Sequence, residues 1–478
     1  MKLSRLEVLS RDEISKIHES SLEVLWKVGV AVRTDRVLKM LEEAGCTADY
    51  EKSLVRIPRQ LMENVLKWAP SNVALFDRDS KSSLDHGGDN TYSWSGNVGT
   101  YVLTSESGER RPATVEDVGK FARLADALEN IHVVGVQAVP QDVRGSLGEV
   151  VSAHAAFANT SKHVFFCQTD ATVATAEIEM AKAILAGKEL ARYPIMTSLV
   201  DPTTPLSWDR GPVEALIENA RARVPCIIAS CPTSGGTAPI SMAGTLVVQN
   251  AEILSGVLIS QLANRGAPVM YGTASLILDM RWGRAVLGSP ETVALRVAVT
   301  QLGRSYNLPT QTIAPDSDSH CLDEQNAWEK MMTAASAMSS GANVLMNSGM
   351  LASGLTVSYE QLVVDNEILG WLYHLRKGIE VTPETLGIEH IAEAGPGGHF
   401  LRGDLHFATK RLRTEYWTPE ISCRSAYDKW TKNGTKNVVR VAAEKAHGIL
   451  QRHEPIRLGG ETERELDRIV ENFKSRVM

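Results

Sequence analysis

The chain has 478 residues, of which 43% are apolar and 6% aromatic, and its formal net charge is −7. This composition supplies enough aliphatic side chains for a large core, in one α/β barrel with insertions or in two domains. Because the net charge is small and Lys and Arg are spread along the chain, we expect no nucleic-acid partner.

Residues 1–90 predict a helical extension packed on the rest of the fold. Residues 1–27 carry charges throughout and repeat apolar residues at helical spacing, which indicates a helix and not a signal peptide. DRVLKMLEEAGC (35–46) and PRQLMENVLKWA (58–69) predict further helices. Since no apolar run approaches the roughly 18 residues of a membrane span, no membrane association is expected.

Residues 91–380 alternate apolar β-rich runs with amphipathic helical runs, which is the pattern of βα units on a parallel sheet. The predicted strands lie at 91–96, 132–139, 163–169, 193–200, 224–231, 267–274, 308–314 and 343–349. A ribbon, GTYVLTSESGERR (99–111), is predicted to follow the first of them. Eight parallel strands with crossover helices of this length close into a TIM (β/α)8 barrel.

A doubly wound open sheet is the rival arrangement. It would carry a glycine-rich phosphate turn after an early strand, and CPTSGGTAP (231–239) is the nearest candidate. That stretch lies in the middle of the chain and lacks the GxGxxG spacing. The barrel is therefore favoured over a dinucleotide-binding fold.

Residues 381–478 predict a C-terminal helical cap. Neither this region nor residues 1–90 has the polarity of a disordered linker, so both are interpreted as layers on one barrel. The 6 cysteines show no metal-binding spacing, which indicates reduced thiols and a cytoplasmic location.

The ends of the predicted strands are where a barrel of this kind places its chemistry. APDSDSH (314–320) follows the seventh strand, so Asp316 and Asp318 are expected over the barrel mouth. Both could instead cap the next helix, since Ser319 and Asp323 are ordinary residues of a helix start.

The sequence contains no clear signature of a metal site or of a catalytic nucleophile. His320 and Cys321 are adjacent, and zinc needs further ligands at compatible spacing, so no bound metal is expected. Cys167, Cys226 and Cys231 have no local catalytic signature, and the chain contains no GxSxG elbow.

Four aromatic residues fall at or near strand ends, namely Tyr92, Trp94, Phe166 and Tyr271. Several rings over one cavity would bind a quaternary ammonium, at roughly 0.5–2 kcal/mol for each cation–π contact. The alternative is that each ring packs against a helix.

Eight ordered stretches resemble the trimethylamine methyltransferase superfamily, over about residues 90–450. They are GERRPATVEDVGKFARLADALENIHVV (108–134), TSKHVFFC (160–167), PTTPLSWD (202–209), CPTSGGTAPISMAGTLVVQNAEILSG (231–256), APVMYGTASLILDMRWGRAVLGSPE (267–291), SDSHCLDEQNAWEK (317–330), SGLTVSYEQLVVDNEI (353–368) and GPGGHFL (395–401).

The resemblance implies a TIM barrel that moves a methyl group from a methylated amine to the cobalt of a separate corrinoid protein. Founding members carry pyrrolysine at a position that falls at or beside Asp316, whereas this chain has ordinary residues there. Relatives without pyrrolysine act on quaternary amines such as glycine betaine, proline betaine or carnitine. The resemblance therefore implies a quaternary amine substrate, with a tertiary amine as the alternative.

The implied site consists of Asp316 as the catalytic residue and of groups that contact substrate or the corrinoid. The substrate-binding candidates are Tyr92, Trp94, Phe166, Gln168, Tyr271, Asp318, His320, Asn347 and Ser348. The candidates for approach to the corrinoid are Gly96, Asn97, Gly99, Gly397 and Gly398.

One departure concerns the substrate carboxylate. Many betaine-type relatives have a His at the end of the eighth strand, where this chain has Met346 and Asn347. Asn347, Ser348, Gln168 and Arg281 are the alternative anchors. A homo-oligomer is also expected.

A different class of function remains open. The barrel could be a non-catalytic protein that senses a methylated amine, or a dehydrogenase with a nucleotide at residues 231–239.

Overall fold

A computed structural model describes residues 5–104, 108–400, 409, 411–412 and 414–477. The N-terminal segment consists of α1 (Arg11–Lys27), β1 (Val30–Val32), α2 (Asp35–Glu43), β2 (Thr47–Asp49), β3 (Leu54–Arg56), α3 (Arg59–Leu66), β4 (Val73–Phe76) and β5 (Ser83–His86). The three expected helices are present. The description of the segment as helical is incomplete, because it also contains short strands.

The central region alternates strands and helices as expected. It contains β6 (Tyr92–Ser95), β7 (Tyr101–Thr104), β8 (Glu109–Pro112), α4 (Val115–Ala127), β9 (Val133–Gly135), α5 (Ser146–Ala158), β10 (His163–Cys167), α6 (Ala171–Leu185), β11 (Met196–Val200), β12 (Ser207–Trp208), α7 (Arg210–Ala222), β13 (Cys226–Ser230), β14 (Thr233–Ser234), α8 (Met242–Ala263), β15 (Val269–Thr273), β16 (Leu276–Asp279), β17 (Arg284–Val286), α9 (Pro290–Ser305), β18 (Gln311–Ile313), α10 (Glu324–Ser340), β19 (Val344–Ser348), β20 (Met350–Leu351), β21 (Thr356–Val357) and α11 (Tyr359–Lys377).

Eight of these strands form one parallel sheet in the order β15-β13-β11-β10-β9-β6-β19-β18. A parallel bridge between Tyr271 and Thr310 joins its two outer strands and closes the barrel. Every predicted strand is present, and the rival open sheet is excluded. The predicted ribbon is the antiparallel pair β7–β8, with residues 105–107 of its turn outside the described residues.

The β4–β5 hairpin closes one end of the barrel. Val73 and Leu75 pack in the same interior cluster as Trp94 and Phe165, at the level where the barrel strands begin. The carboxyl ends of the strands consequently form the other, open end, which is called the mouth below.

Helix α8 shows how completely the barrel is wrapped. By length and composition it is apolar enough to cross a membrane, since one 18-residue stretch has a mean hydropathy of 1.4. Yet 72% of that stretch is buried inside the fold. Because it packs against α1 and α7, its apolar character is that of a core helix.

The C-terminal segment contains α12 (Pro383–Leu386), α13 (Ile388–Ala394), α14 (Tyr427–Lys432), α15 (Val438–Arg452) and α16 (Gly460–Val477). Helix α15 packs on α11, and α16 packs on α5 and α6. No residue of α12, α13 or α14 is buried, so only the last two of these described helices cover the barrel. The proposed boundaries at residues 90 and 380 stay predictions, as does the homo-oligomer.

Candidate active site at the barrel mouth

Three neighbouring strands, β10, β11 and β13, bring Cys167, Asp201 and Cys231 to the mouth. Cys167 is the last residue of β10, and the other two directly follow their strands. The charge of Asp201 raises the pKa of both thiols, in addition to the larger effect of burial, which places the carboxylate close to each. Sequence reasoning did not include Asp201 in the site, although this residue directly follows the predicted strand at 193–200.

Asp201 is the one acid of this group, and its carboxylate is exposed. Its side chain keeps solvent-accessible surface at the mouth. The protein packed around the carboxyl nevertheless removes much of its hydration, and this desolvation raises its pKa to about 7. In the described part of the chain it accepts no hydrogen bond and forms no ion pair. A carboxyl with a strongly perturbed pKa is a candidate for a functional position.

The two thiols beside Asp201 are poor nucleophiles. Burial raises the pKa of Cys231 to about 12 and that of Cys167 well above its ordinary value, so both are protonated at neutral pH. The Asn97 amide donates to Cys167 Sγ at 2.6 Å, which ties the β6 end to the β10 end. Covalent catalysis by these cysteines is not supported.

Asp316, the predicted catalytic residue, lies below the mouth and is only 1% exposed. Its Oδ2 accepts from Nη1 of Arg296 in α9 at 3.1 Å. The same guanidinium donates to the carbonyl oxygens of Ser275 and Ile313 at 3.2 and 3.0 Å. Arg296 thus joins the ends of β15 and β18 through one buried charge pair.

The other carboxylate oxygen of Asp316 organises the end of β19. Oδ1 accepts from the Asn347 amide at 3.0 Å and from the Ser317 backbone at 3.2 Å. Asn347 has a φ of 147°, a strained value for a residue with a side chain, and this hydrogen bond helps to hold it. Burial raises the pKa of Asp316, with the charges of Arg296 and Lys330 acting in the opposite direction.

A second buried pair supports the same loop. Lys330 and Asp365 are fully buried and lie 2.8 Å apart. Lys330 donates to the Pro315 carbonyl at 3.3 Å, and Asp365 accepts from the Gly349 backbone at 2.6 Å. Because each ion has its counterion and further hydrogen bonds, the loop after β18 and the end of β19 are fixed together.

Neither Asp316 nor Asp318 caps helix α10; Asp323 does, by accepting from the Asn326 backbone. Asp318 instead accepts from the backbone of Leu287 and Gly288 and from the Ser353 hydroxyl. It therefore fastens the loop after β18 to two other loops.

His320, a predicted substrate-binding residue, lies apart from the group around Asp201. His320 is exposed, with Nε2 at 3.5 Å from the Arg284 guanidinium, outside the group around Asp201.

The predicted aromatic wall is wrong for two of its rings, because they face the helices. The Phe166 ring meets Phe157 of α5 edge to face, at 5.3 Å between centroids. The Tyr271 hydroxyl donates to Asn250 of α8 at 2.7 Å. Both side chains project from the outer side of the barrel wall and pack against helices there, and Phe166 also lines the cavity between the wall and α5.

The other two rings point inward but lie far from the mouth. Trp94 is fully buried, with its ring 5.2 Å from Phe165 and 5.6 Å from His86 of the closing hairpin. The Tyr92 ring lies 4.7 Å from the His86 ring at a tilt of 49°, and its hydroxyl accepts from the Asp85 backbone at 3.3 Å. Their positions correct the expectation that they surround a substrate at the mouth.

Two of the polar substrate-binding candidates, Gln168 and Ser348, form hydrogen bonds within the barrel wall. Gln168 accepts from the Ser198 hydroxyl at 2.7 Å and donates to Glu177, in a network between the strands and helices. Ser348 is fully buried, and its carbonyl accepts from the amide of Gln137 at 3.0 Å. Arg281, the remaining anchor for a carboxylate, is paired with Asp279 at 2.7 Å.

Replacing Tyr271 by Phe tests this placement of the rings. The variant loses one buried hydrogen bond to Asn250 and should lower the free energy of unfolding by about 1 kcal/mol. Its KM for the amine should stay that of the parent, because the ring does not face the mouth. Urea denaturation and steady-state kinetics check the two parts, and a raised KM with unchanged stability would place Tyr271 in the substrate site.

The glycines predicted to allow a corrinoid to approach differ in their surroundings. A Cβ on Gly96 would lie 2.3 Å from Met350, and one on Gly99 would lie 2.5 Å from Val357, so both permit close packing inside the fold. A Cβ on Gly397 would meet nothing within 4 Å, and one on Gly398 would strike the Ala394 carbonyl. Among the described residues at the mouth, Asp201 is exposed and Asn97 is half-buried.

No cluster of three His, Cys, Asp or Glu side chains with metal-binding geometry occurs among the residues that the structure describes. The ionisable groups that define the site are thus one open carboxylate, Asp201, and one buried pair, Arg296 with Asp316. A barrel of this kind can hold a cation at its mouth without a protein-bound metal.

The fold and this site define a (β/α)8 barrel with an exposed carboxylate at its mouth, and sequence comparison assigns the chain more narrowly. The family model "Trimethylamine methyltransferase (MTTB)" matches residues 1–477. The chain belongs to the trimethylamine methyltransferase family, as the eight stretches predicted.

Its relatives include enzymes with two different substrates in their names. The chain is 34% identical over 444 residues to the glycine betaine methyltransferase of Desulfitobacterium hafniense strain Y51, covering 92% of each chain. It is 33% identical over 447 residues to trimethylamine methyltransferase MttB of D. hafniense strain DSM 10664, covering 93% of this chain and 90% of that one.

Among solved structures, the monomethylamine methyltransferase MtmB of Methanosarcina barkeri has a similar fold. The TM-score is 0.52 at 12% identity, and the match covers 100% of this chain and 96% of that one. At this identity the likeness supports the barrel fold alone.

Proposed function

We propose that this protein transfers an N-methyl group from a quaternary amine to the reduced cobalt of a corrinoid carried by a separate protein. The observation that carries the proposal is Asp201, an open carboxylate at the mouth with no basic partner in the described residues. Its relative named glycine betaine methyltransferase acts on a substrate of this class. A tertiary amine is the second candidate, since other relatives are named for trimethylamine.

A quaternary nitrogen needs no acid to leave. The cobalt of the acceptor supplies an electron pair to the methyl carbon, and the pair of the breaking C–N bond stays on nitrogen as a neutral tertiary amine. The protein must hold the nitrogen, methyl carbon and acceptor in line, which is a matter of positioning.

Asp201 suits this task because it is open to solvent. The positive charge on nitrogen disappears as the methyl group leaves, so a buried, tightly paired carboxylate would stabilise the substrate more than the transition state. A carboxylate that keeps exposed surface and has no counterion in the described residues attracts the cation more weakly than a buried ion pair would, and it raises the barrier less. Asp316, which is buried and paired with Arg296, is proposed to position Asn347 and the loop after β18.

The test is methyl transfer to cobalt(I) cobalamin, followed by its absorbance, with glycine betaine, proline betaine, carnitine, γ-butyrobetaine and trimethylamine as donors. Conversion with a quaternary amine supports the proposal and names the substrate. Conversion with trimethylamine alone would establish the second candidate.

Amine binding without transfer, to free cobalamin or to corrinoid proteins, would favour a sensor barrel. A purified protein with nicotinamide or flavin absorbance would point to the dehydrogenase alternative. The cytoplasmic location belongs to the same proposal, because low-potential cobalt requires a reducing compartment.

A further inference from the structure

A cavity of about 830 Å³ opens beside the mouth, between the ends of β9 and β10 and the beginning of α5. Asn97 and Cys167, which belong to the mouth, also line it, so the two spaces are continuous. A volume of this size matches sites for ligands much larger than a trimethylammonium group. The cavity therefore has room for the remainder of an amine substrate.

One side of the cavity is apolar. Val98, Val136, Val139 and Phe166 contribute to this wall. Such a surface suits methylene groups, whose burial stabilises a complex by about 0.8 kcal/mol for each CH₂. An apolar wall does not stabilise a charge, so a second charged group on an amine substrate must bind at another part of the cavity wall.

The outer end of the cavity carries positive charge. Arg144 is exposed at this end and has no ion pair among residues 5–104, 108–400 and 414–477. The next residue, Gly145, is the N-cap of the 13-residue helix α5 and supplies no capping side chain. The free backbone N–H groups of the first turn and the guanidinium both favour an anion.

A buried hydroxyl gives a second, independent indication of a ligand. Ser152, one turn further along α5, lines the cavity and is only 1% exposed. In the described part of the chain its Oγ has no hydrogen-bond partner. Buried hydroxyl groups are nearly always paired, so this one is available to a bound molecule.

Three acids face the same space, and each is already engaged. Glu149 accepts from Thr169, and burial raises its pKa. Glu177 accepts from Gln168, and burial raises its pKa well above the ordinary value. Asp170 caps helix α6. None of the three forms an ion pair in the described residues, and Arg144 is the one cation among the residues that line the cavity.

We infer, building on the proposed function, that this cavity binds the carboxylate-bearing tail of the amine substrate. The trimethylammonium group lies by Asp201, the methylene chain lies along Val98 and Val136, and the carboxylate meets Arg144 and the first turn of α5. Asp201 directly follows β11, whereas Arg144 lies in the segment between β9 and α5, at the far end of a cavity of about 830 Å³. The substrate class is therefore a betaine with a spacer of several carbons, which glycine betaine lacks.

Titration calorimetry on the full chain tests this inference without any corrinoid. The ligands are glycine betaine, γ-butyrobetaine, 5-trimethylammoniopentanoate and butyltrimethylammonium, which has no carboxylate. The two longer acids should bind more tightly than glycine betaine. Arg144→Gln should weaken those two by about tenfold, since a charge-assisted hydrogen bond is lost, and should leave butyltrimethylammonium unchanged.

The matched control is Arg192→Gln, an exposed arginine before β11 at the closed end of the barrel. It should bind every ligand as the parent does, and circular dichroism shows that both variants are folded. Equal affinity of the parent for the longer acids and butyltrimethylammonium would overturn the tail site while leaving the proposed function intact. No binding of any ammonium ligand would instead overturn the proposed function itself.

Discussion

Replacing Asp201 by Asn should weaken binding of the quaternary amine and lower kcat/KM by at least about tenfold, because the unpaired carboxylate that attracts the cation is lost. Asn keeps the size and the hydrogen-bonding capacity of the side chain, so the shape of the mouth is retained. Calorimetry and the cobalamin assay measure the two effects.

The pH dependence of the parent distinguishes a charge effect from a steric one. The pKa of Asp201 is about 7 in the free protein, so the carboxylate is ionised above that pH and neutral below it. Amine affinity of the parent should rise as the pH increases through 7, and the bound cation should lower the apparent pKa. The Asn variant should show no such rise.

Stability should change in the opposite direction to binding. A carboxyl whose folded pKa is raised costs stability once it ionises in the unfolded chain, and this cost grows from about pH 4 to about pH 7. Asp201→Asn should therefore raise the melting temperature most at pH 8 and little at pH 4. Asp428→Asn, an exposed position on α14, should change neither property.

A parent whose affinity does not depend on pH, together with an Asn variant of unaltered kcat/KM, would remove Asp201 from the site. Weaker binding combined with a lower melting temperature at pH 8 would point to a structural role.

The barrel could be predicted because its strands are short apolar runs, bounded by turns and separated by amphipathic helices. All eight strands coincide with predicted ones. The strands of the N-terminal segment could not, since β1 has three residues and pairs with β12, far along the chain. Such pairing has no local signal.

The direction of side chains was harder to predict than the strands themselves. Phe165 and Phe166 are adjacent, and only the inward one contacts Trp94, because neighbouring residues of a strand point to opposite faces. Strands buried on both faces lack the alternation that would identify the inward residue. The sequence for this reason suggested an aromatic wall that the fold does not contain.

The ion pairs of the acidic residues could not be predicted from the sequence for a similar reason. Arg296 precedes Asp316 by 20 residues on another element, and only the closed barrel brings them together. Asp201 has the same strand-end position as the predicted candidates. What distinguishes Asp201 is that no described residue pairs with it, and this depends on every surrounding element.

Asp316→Ala should lower the free energy of unfolding by about 3–5 kcal/mol, because it leaves the Arg296 guanidinium buried without its counterion. It should also lower kcat/KM by at least about tenfold, since Asn347 loses the acceptor that orients it. Chemical denaturation and the cobalamin assay measure these losses.

Two further variants separate the charge of Asp316 from its positioning role. Arg296→Met combined with Asp316→Ala removes both ions and should recover part of the stability but none of the activity. Asp316→Asn keeps an acceptor for the Asn347 amide and should retain most of the activity at reduced stability.

A folded Asp316→Asn protein as inactive as the Ala variant would contradict this assignment. The negative charge of Asp316 would then act on the substrate directly, through a mouth that opens further than the 1% exposure of this residue allows. Full activity in the double variant would show instead that Asn347 holds its strained backbone without Asp316, because the remaining contacts of β19 suffice.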